Sequence, residues 1–318
     1  MLRVLHSGGG GLEVVDPASW VLTDTVAWID LITPSREEEL AAERALGVLL
    51  PTREEMAEIE VSSRLYREDG ATFMTAFVLV GADGEDPALE PVTFVLAKGR
   101  LATVRYVEPR TFKAFAAQAE RDPDFCAGGV DAFLSLLDAI VDWLADVLEK
   151  TSAEIDGVSA AIFLPARKGG FKPILRRLGR GQSVAAKARG SLVSLARLVS
   201  FASLSDEIAS DGDHRGRLRS LQRDIQSLTD HSAYLTENVT FLLDSAVGLI
   251  NTDQNEIMKV FSVWAVVLMP PTLIGSIYGM NFDHMPELRW LVGYPLALAV
   301  MAVSMLVPLW WLRRKGWL

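Results

Sequence analysis

The chain has 318 residues, half of them hydrophobic, with 23% charged residues, a formal net charge of −10 and a mean hydropathy of +0.23. That length exceeds one ordinary core and suits two or three units. The acidic balance would repel a phosphate backbone, which excludes a nucleic-acid partner and suits cations. A lone cysteine, Cys126, excludes an intrachain disulfide, suits a reducing compartment and reads as a small buried hydrophobe.

The opening MLRVLHSGGGG has no apolar stretch of signal-peptide length, so the N-terminus is expected to stay inside. Gly8–Gly11 lacks a phosphate-binding sequel and reads as a turn. Residues 1–125 read as an α/β domain. Val26–Leu31 predicts a strand, and helices are expected to open at Pro34-Ser35 and over Pro51–Met56. Val61–Arg67, Thr72–Val80, Val92–Ala97 and Leu101–Val107 predict strands, separated by turns such as Glu68-Asp69-Gly70 and Ala82-Asp83-Gly84. Pro109–Arg121 predicts a helix.

Residues 126–258 predict a helical hairpin and a long stalk helix. Phe133, Leu136, Leu137, Ile140, Val141, Leu144, Val147 and Leu148 recur at helical spacing. Breaks are expected from Gly169-Gly170 to Pro173 and at Asp211-Gly212-Asp213. From Arg215 to Lys259 there is no proline, so a helix running on into the apolar segment beyond would be about 60 residues or about 90 Å long. No acidic residue lies between Asp156 and Asp206, where Arg167, Lys168, Lys172, Arg176, Arg177, Arg180, Lys187, Arg189 and Arg197 are basic. This block is either a solvated face paired with the acidic remainder or a contact with anionic lipid.

Residues 259–318 predict a two-helix membrane domain. Residues 260–282 and 290–312 are each 23 positions without a charge, and about 20 apolar residues span a bilayer. Lys259 precedes the first run, and Arg313, Arg314 and Lys315 follow the second. The loop offers only Arg289 against Asp283 and Glu287, so both termini are expected in the cytoplasm. Trp290, Tyr294, Trp310, Trp311 and Trp317 lie near the ends of the second run, where amphipathic rings favour the interface.

The first run ends in Tyr278-Gly279-Met280-Asn281 and continues Phe282-Asp283-His284-Met285-Pro286-Glu287-Leu288. This YGMNF followed by MPEL resembles the CorA family of magnesium channels. Asn255-Glu256-Ile257-Met258-Lys259 and the ending Arg313-Arg314-Lys315-Gly316-Trp317-Leu318 share the resemblance, and Ala27-Trp28-Ile29-Asp30-Leu31 and Thr52-Arg53-Glu54-Glu55 share it more weakly. It implies a CorA-like fold: an α/β cytoplasmic domain, a long helical stalk and two C-terminal transmembrane helices, assembled as a homopentameric funnel in the inner membrane. It also implies Mg²⁺ as both transported and regulatory ion, with no organic cofactor and no enzymatic activity. The implied partners are divalent metal ions, membrane lipid and further copies of the chain. Cytosolic Mg²⁺ is expected to bind acidic residues between copies and hold the pore shut; Glu85, Asp86, Asp206, Asp224 and Asp230 are among the candidates, and none lies in a motif that assigns it.

The chemistry of the loop fits that reading. Mg²⁺ sheds water reluctantly, and a neutral amide such as Asn281 hydrogen-bonds a hydration shell without stripping it. Gly279 lets the backbone turn and expose a carbonyl. Tyr278, Gly279, Met280 and Asn281 are the expected selectivity filter. With the first span lining a pore, steps of three and four place Asn255, Met258, Phe261, Ala265, Met269, Thr272 and Ser276 on one face. Met258, Phe261 and Met269 suit apolar constrictions that close by dewetting; the family usually carries an aliphatic residue where Phe261 stands. Pro270-Pro271 should bend the helix, and Thr272 and Ser276 offer oxygens to the ion path. Asp283 and Glu287 would concentrate cations at the mouth. His284 has no second histidine or cysteine nearby to make a zinc site.

Rival readings differ in what they require. A ZntB-like zinc transporter shares the Gly-Met-Asn, but its loop carries glycines in place of MPEL; Co²⁺ and Ni²⁺ remain candidates beside Mg²⁺. A membrane-anchored enzyme would need a motif such as Gly-x-Ser-x-Gly or His-Glu-x-x-His, and the chain has neither. A two-span receptor needs no Gly-Met-Asn loop.

Overall fold

In the computed structural model, which describes residues 1–7, 12–58, 60–84, 86–121, 126–163, 170–281 and 285–317, the chain divides into two compact units, Met1–Leu243 and Asp244–Leu318. The turn expected at Gly8–Gly11, the acidic candidate Glu85 and the basic residues Arg167 and Lys168 lie outside the described residues. Strands β1 (Leu2–His6), β2 (Glu13–Val14) and β3 (Val26–Ile32) precede helices α1 (Arg36–Leu46), α2 (Arg53–Met56) and α3 (Val61–Arg64). Strands β4 (Leu65–Glu68), β5 (Ala71–Val80), β6 (Ala88–Ala97) and β7 (Arg100–Arg105) complete a sheet in the order β2-β1-β3-β7-β6-β5-β4. The β3–β7 pair is parallel and the other described pairs are antiparallel. Helices α4 (Arg110–Arg121), α5 (Gly129–Ile162), α6 (Lys172–Ala202), α7 (Asp206–Ala209), α8 (Gly212–Tyr278) and α9 (Gly293–Arg314) follow.

The early helices start where side chains satisfy their free amides. Ser35 Oγ accepts from the Glu38 amide at 3.3 Å and the Glu38 carboxylate accepts from the Ser35 amide at 2.8 Å. Thr52 and Glu55 repeat the arrangement at α2. Gly47, at φ 79°, closes α1 in the left-handed conformation.

Both faces of the sheet are covered, so β3 is buried along nearly its whole length. Its alternation divides the core. Ile29 and Leu31 join Leu46, Met56, Phe73, Val95 and Val104 in one apolar cluster. On the other face Trp28 meets Phe115 edge-on with centroids 5.1 Å apart, and Phe94 meets Phe133 of α5 at 5.7 Å. Asp30 shares that second face, fully buried. It accepts from Arg105 Nε at 3.0 Å and Nη2 at 2.9 Å, from Arg3 Nη2 at 2.7 Å and from the Thr103 hydroxyl at 2.8 Å. Trp28 Nε1 donates to the same hydroxyl at 2.9 Å, and the Arg105 guanidinium lies 4.5 Å from the centre of the Phe112 ring. Four donors on one carboxylate explain how an aspartate sits in this core.

The start of α5 presses directly on β7. Gly129 N–H donates to Gly99 O at 3.0 Å, and a Cβ at Gly129 would fall 2.4 Å from the Arg100 carbonyl carbon. Gly129→Ala is therefore expected to push helix and strand apart and to cost about 1–3 kcal/mol, read as a lowered melting temperature of the full-length protein in detergent.

One expectation changes and one strand is added to those expected. Val61–Arg67 is a turn of helix followed by a strand from Leu65, and Arg64 is buried with its guanidinium 5.1 Å from the centre of the Phe77 ring. The N-terminus also contributes β1, whose Leu2, Val4 and Leu5 are buried by pairing with β3. The basic block contributes to a local fastening: Arg180 donates to Asp83 O at 3.0 Å and Lys187 donates to Pro87 O, so α6 holds the β5–β6 connection. The break at Asp211-Gly212-Asp213 separates α7 from α8, with Asp211 Oδ1 accepting from the Asp213 amide at 2.7 Å.

Candidate functional site

Helix α8 is 67 residues long and continues through Pro270 and Pro271; its last part and α9 are both long and apolar enough to cross a membrane. The two apolar stretches are almost wholly unburied within the chain. A soluble core helix would be enclosed, so these surfaces require a bilayer or other copies to cover them.

Packing marks two opposite faces on the first span. Val267 is buried, and Val263, Pro270, Pro271 and Ile274 are half-buried. Val263 and Val267 share a groove with Met305 and Leu309 of α9, and Gly275 faces Met301, 3.6 Å from where a Cβ would stand. Asn255, Met258, Phe261, Ala265, Met269, Thr272 and Ser276 are all exposed. At about 100° per residue the two sets lie about 180° apart. The face that sequence spacing assigned to a pore lies within a broad surface left without intrachain packing among the described residues, which also carries Trp264, Val266, Leu268 and Leu273.

That face is neutral. Its one committed hydroxyl is Thr272, which donates to Leu268 O at 2.7 Å. With its proton engaged in the helix, the exposed Thr272 hydroxyl oxygen keeps lone pairs available as acceptors. Pro270 and Pro271 carry no N–H, so the carbonyls of Val266 and Val267 lose their intrahelical donors close by. Among the described residues no group of three His, Cys, Asp or Glu side chains is placed to hold a metal ion directly.

Tyr278 is the last residue of α8. Gly279 N–H donates to Gly275 O at 3.0 Å and Met280 N–H to Ile277 O at 3.2 Å, after which Asn281 is exposed. The turn uses no positive φ at Gly279. Space there is tight, because a Cβ would lie 3.2 Å from Gly275 O and the neighbouring carbonyl would have to give by a few tenths of an ångström. Asp283 and His284 lie outside the described residues, and Glu287 falls within the 3-10 turn Pro286–Arg289.

Sequence reasoning missed how the loop is backed. Tyr278 and Gly279 share a cavity wall with Leu288, Trp290, Tyr294 and Met301. The aromatic rings read as interfacial anchors thus also stand behind the turn. The signal was present as small residues four apart, Gly275 with Gly279 and Gly293 with Ala297, which let membrane helices approach closely. At the other end α9 closes with Gly316 at φ 73° and Trp317 N–H donating to Leu312 O at 3.0 Å. Arg313, Arg314 and Lys315 lie at that negative helix end, and Arg314 stacks 5.4 Å from the Trp310 ring centre.

Comparison with known proteins places this geometry. The family described as "CorA-like Mg2+ transporter protein" matches residues 23–314. The magnesium transport protein CorA of Pasteurella multocida is 33% identical over 93% of this chain and 93% of its own length. That of Escherichia coli is 34% identical over 92% of each. The complete structure of the CorA magnesium transporter from Methanocaldococcus jannaschii superposes with a TM-score of 0.78, covering 100% of this chain and 99% of the other at 18% identity, which shows a shared fold.

Proposed function

The chain belongs to the family of CorA-like Mg²⁺ transporter proteins, and on that premise we propose that it forms a passive channel for Mg²⁺, filtered by Tyr278, Gly279, Met280 and Asn281. The observation that carries this reading is the neutral, unpacked face of the first span, lying opposite its packing face and leading to an exposed Asn281.

Mg²⁺ crosses as substrate with its water shell. Asn281 side-chain carbonyls accept hydrogen bonds from that shell at the outer end, and Asp283 and Glu287 raise the cation concentration there. Ser276 and Thr272 take over as acceptors along the span, and Met269, Ala265, Phe261, Met258 and Asn255 line the inner part. The Met258 and Phe261 side chains make a narrow apolar ring that empties of water when the helices draw together. Inward flow needs no pump, since a doubly charged ion gains about 4.6 kcal/mol per 100 mV of inside-negative potential. Co²⁺ and Ni²⁺ pass by the same hydrated route.

Five copies surround the pore in the inner membrane with both termini cytoplasmic. Residues 1–125 and 126–258 then act as sensor and stalk, and residues 259–318 conduct. Cytosolic Mg²⁺ regulates by bridging carboxylates of adjacent copies; its absence lets them repel and the helices part. The protein acts as a transporter without enzymatic chemistry or an organic cofactor.

The test is growth rescue. In a bacterial strain lacking its own Mg²⁺ uptake, expression of this chain is expected to restore growth at low external Mg²⁺. Failure to restore it, with the protein present in the membrane, would overturn the magnesium reading; restored zinc sensitivity alone would favour zinc transport. Gly279→Ala is expected to lower Mg²⁺ influx several-fold at unchanged expression, since the turn must open by a few tenths of an ångström to fit the methyl group.

A further inference from the structure

The first fifteen residues of α8 carry opposite charges on different flanks, and among the described residues Arg219, Arg223 and Asp224 form no ion pair. Leu218, Leu221 and Ile225 are buried and define the face turned to the rest of the unit. On one side of that face, Gly216, Arg219, Gln222, Arg223 and Gln226 line an open groove. Arg219 and Arg223 are exposed. Their Nε atoms donate to the carbonyls of Arg215 and Arg219, both at 3.3 Å, and neither guanidinium meets a carboxylate among the described residues.

On the other side stands Asp224, about 100–140° around the helix from the two arginines. It faces Asp142 of α5, which is flanked by Asp138 and Asp146 at four-residue spacing. Asp138 is paired with Arg217 at 2.9 Å. Asp142, Asp146 and Asp224 have no cationic partner among the described residues. Burial pushes the Asp142 carboxyl above the usual aspartate range, and Asp138, Asp146 and Asp224 add to the rise.

We propose that the Arg219–Arg223 flank of one copy docks against the Asp142–Asp146–Asp224 flank of a second copy, and that this head-to-tail contact sets the register between adjacent long helices. The inference rests on the reading of the protein as a ring of copies and names the surface that makes the ring. Two different patches that complement each other form a heterologous interface, and repetition of such an interface makes a ring where its rotation closes. A ring with its long helices side by side keeps every copy at one height, so the complementary patches must lie at one level. They do: Arg219 and Arg223 precede Asp224 by about 7.5 and 1.5 Å along the helix axis. Gly216 has nothing within 4 Å of a Cβ position, leaving room for a neighbouring helix to approach. Charge complementarity of this kind selects partner and register.

The test uses the purified full-length protein in detergent, its mass read by mass photometry. Arg219→Glu with Arg223→Glu is expected to shift at least half of the oligomer to smaller species, as is Asp142→Lys with Asp146→Lys. Combining the four substitutions is expected to restore the wild-type mass distribution. Separately, in a Cys126→Ala background, Arg223→Cys with Asp142→Cys is expected to give disulfide-joined ladders on a denaturing gel, absent from either single cysteine. Unchanged mass in both charge-reversed variants, a combined variant that stays dissociated with native circular dichroism, or no ladder from the cysteine pair would overturn the proposal. None of these readouts uses ion flux, so their failure is distinct from failure of the transport reading.

Discussion

Asn281→Ala is expected to reduce Mg²⁺ influx by two orders of magnitude or more while leaving oligomer mass and melting temperature unchanged. The side chain is exposed at the end of the Gly279 turn, so its removal takes nothing from the packing of α8 on α9. In the proposed filter, what it removes is an acceptor for the ion's water shell. A neutral hydrogen bond is worth about 1 kcal/mol net. In the proposed ring of five copies around one hydrated ion the loss comes to about 3–5 kcal/mol, or roughly 10²–10⁴ in rate. Asn281→Asp is expected to fail differently: a ring of carboxylates binds divalent ions tightly, so influx saturates at low Mg²⁺ and release becomes slow. The measurement is initial influx against external Mg²⁺ for each variant. Wild-type influx in Asn281→Ala would place the filter elsewhere.

Asp30→Ala is expected to be the most destabilising single change in the first unit. Arg105 is fully buried, and both of its bonds to Asp30 would be lost, leaving a guanidinium with Val107 O and the Phe112 ring as its remaining contacts. Removing one partner of a buried pair costs about 3–5 kcal/mol, a large share of the roughly 5–15 kcal/mol that holds a domain together. Arg3 and Thr103 lose an acceptor in the same step, and Trp28 loses a fixed one. Thermal unfolding of the full-length protein in detergent, followed by circular dichroism, reads the effect. Asp30→Asn keeps part of the bonding and is expected to cost less. A drop below about 1 kcal/mol for Asp30→Ala would show that the network contributes little.

What could be read from the sequence was local. The two membrane helices are written as charge-free runs, and the starts of α1 and α2 as Ser35…Glu38 and Thr52…Glu55, because a cap and its partner lie three residues apart. Strand β5 is legible from its β-branched and aromatic run. The parts that were missed depend on residues far apart in the chain. Leu2–His6 becomes a strand only by pairing with β3, and the buried pair Asp30–Arg105 joins positions 75 residues apart. Lys187 reaches Pro87 across 100 residues, which no charge count could show. At Gly279 the residue type was informative while its reason was not: a glycine suggests a positive φ, whereas here it serves a close approach to Gly275 O. The neutrality of the first span's exposed face was legible from spacing, but that it lies opposite the packing face required α9 in place.

The central claim, passive conduction of Mg²⁺, is tested most directly in proteoliposomes containing the purified protein and an internal Mg²⁺-sensitive dye, with the membrane potential stepped from 0 to −100 mV inside. The account predicts influx in the wild type that rises steeply with the step, since each ion gains about 4.6 kcal/mol. No influx from a folded oligomer, or influx indifferent to the potential, would contradict it.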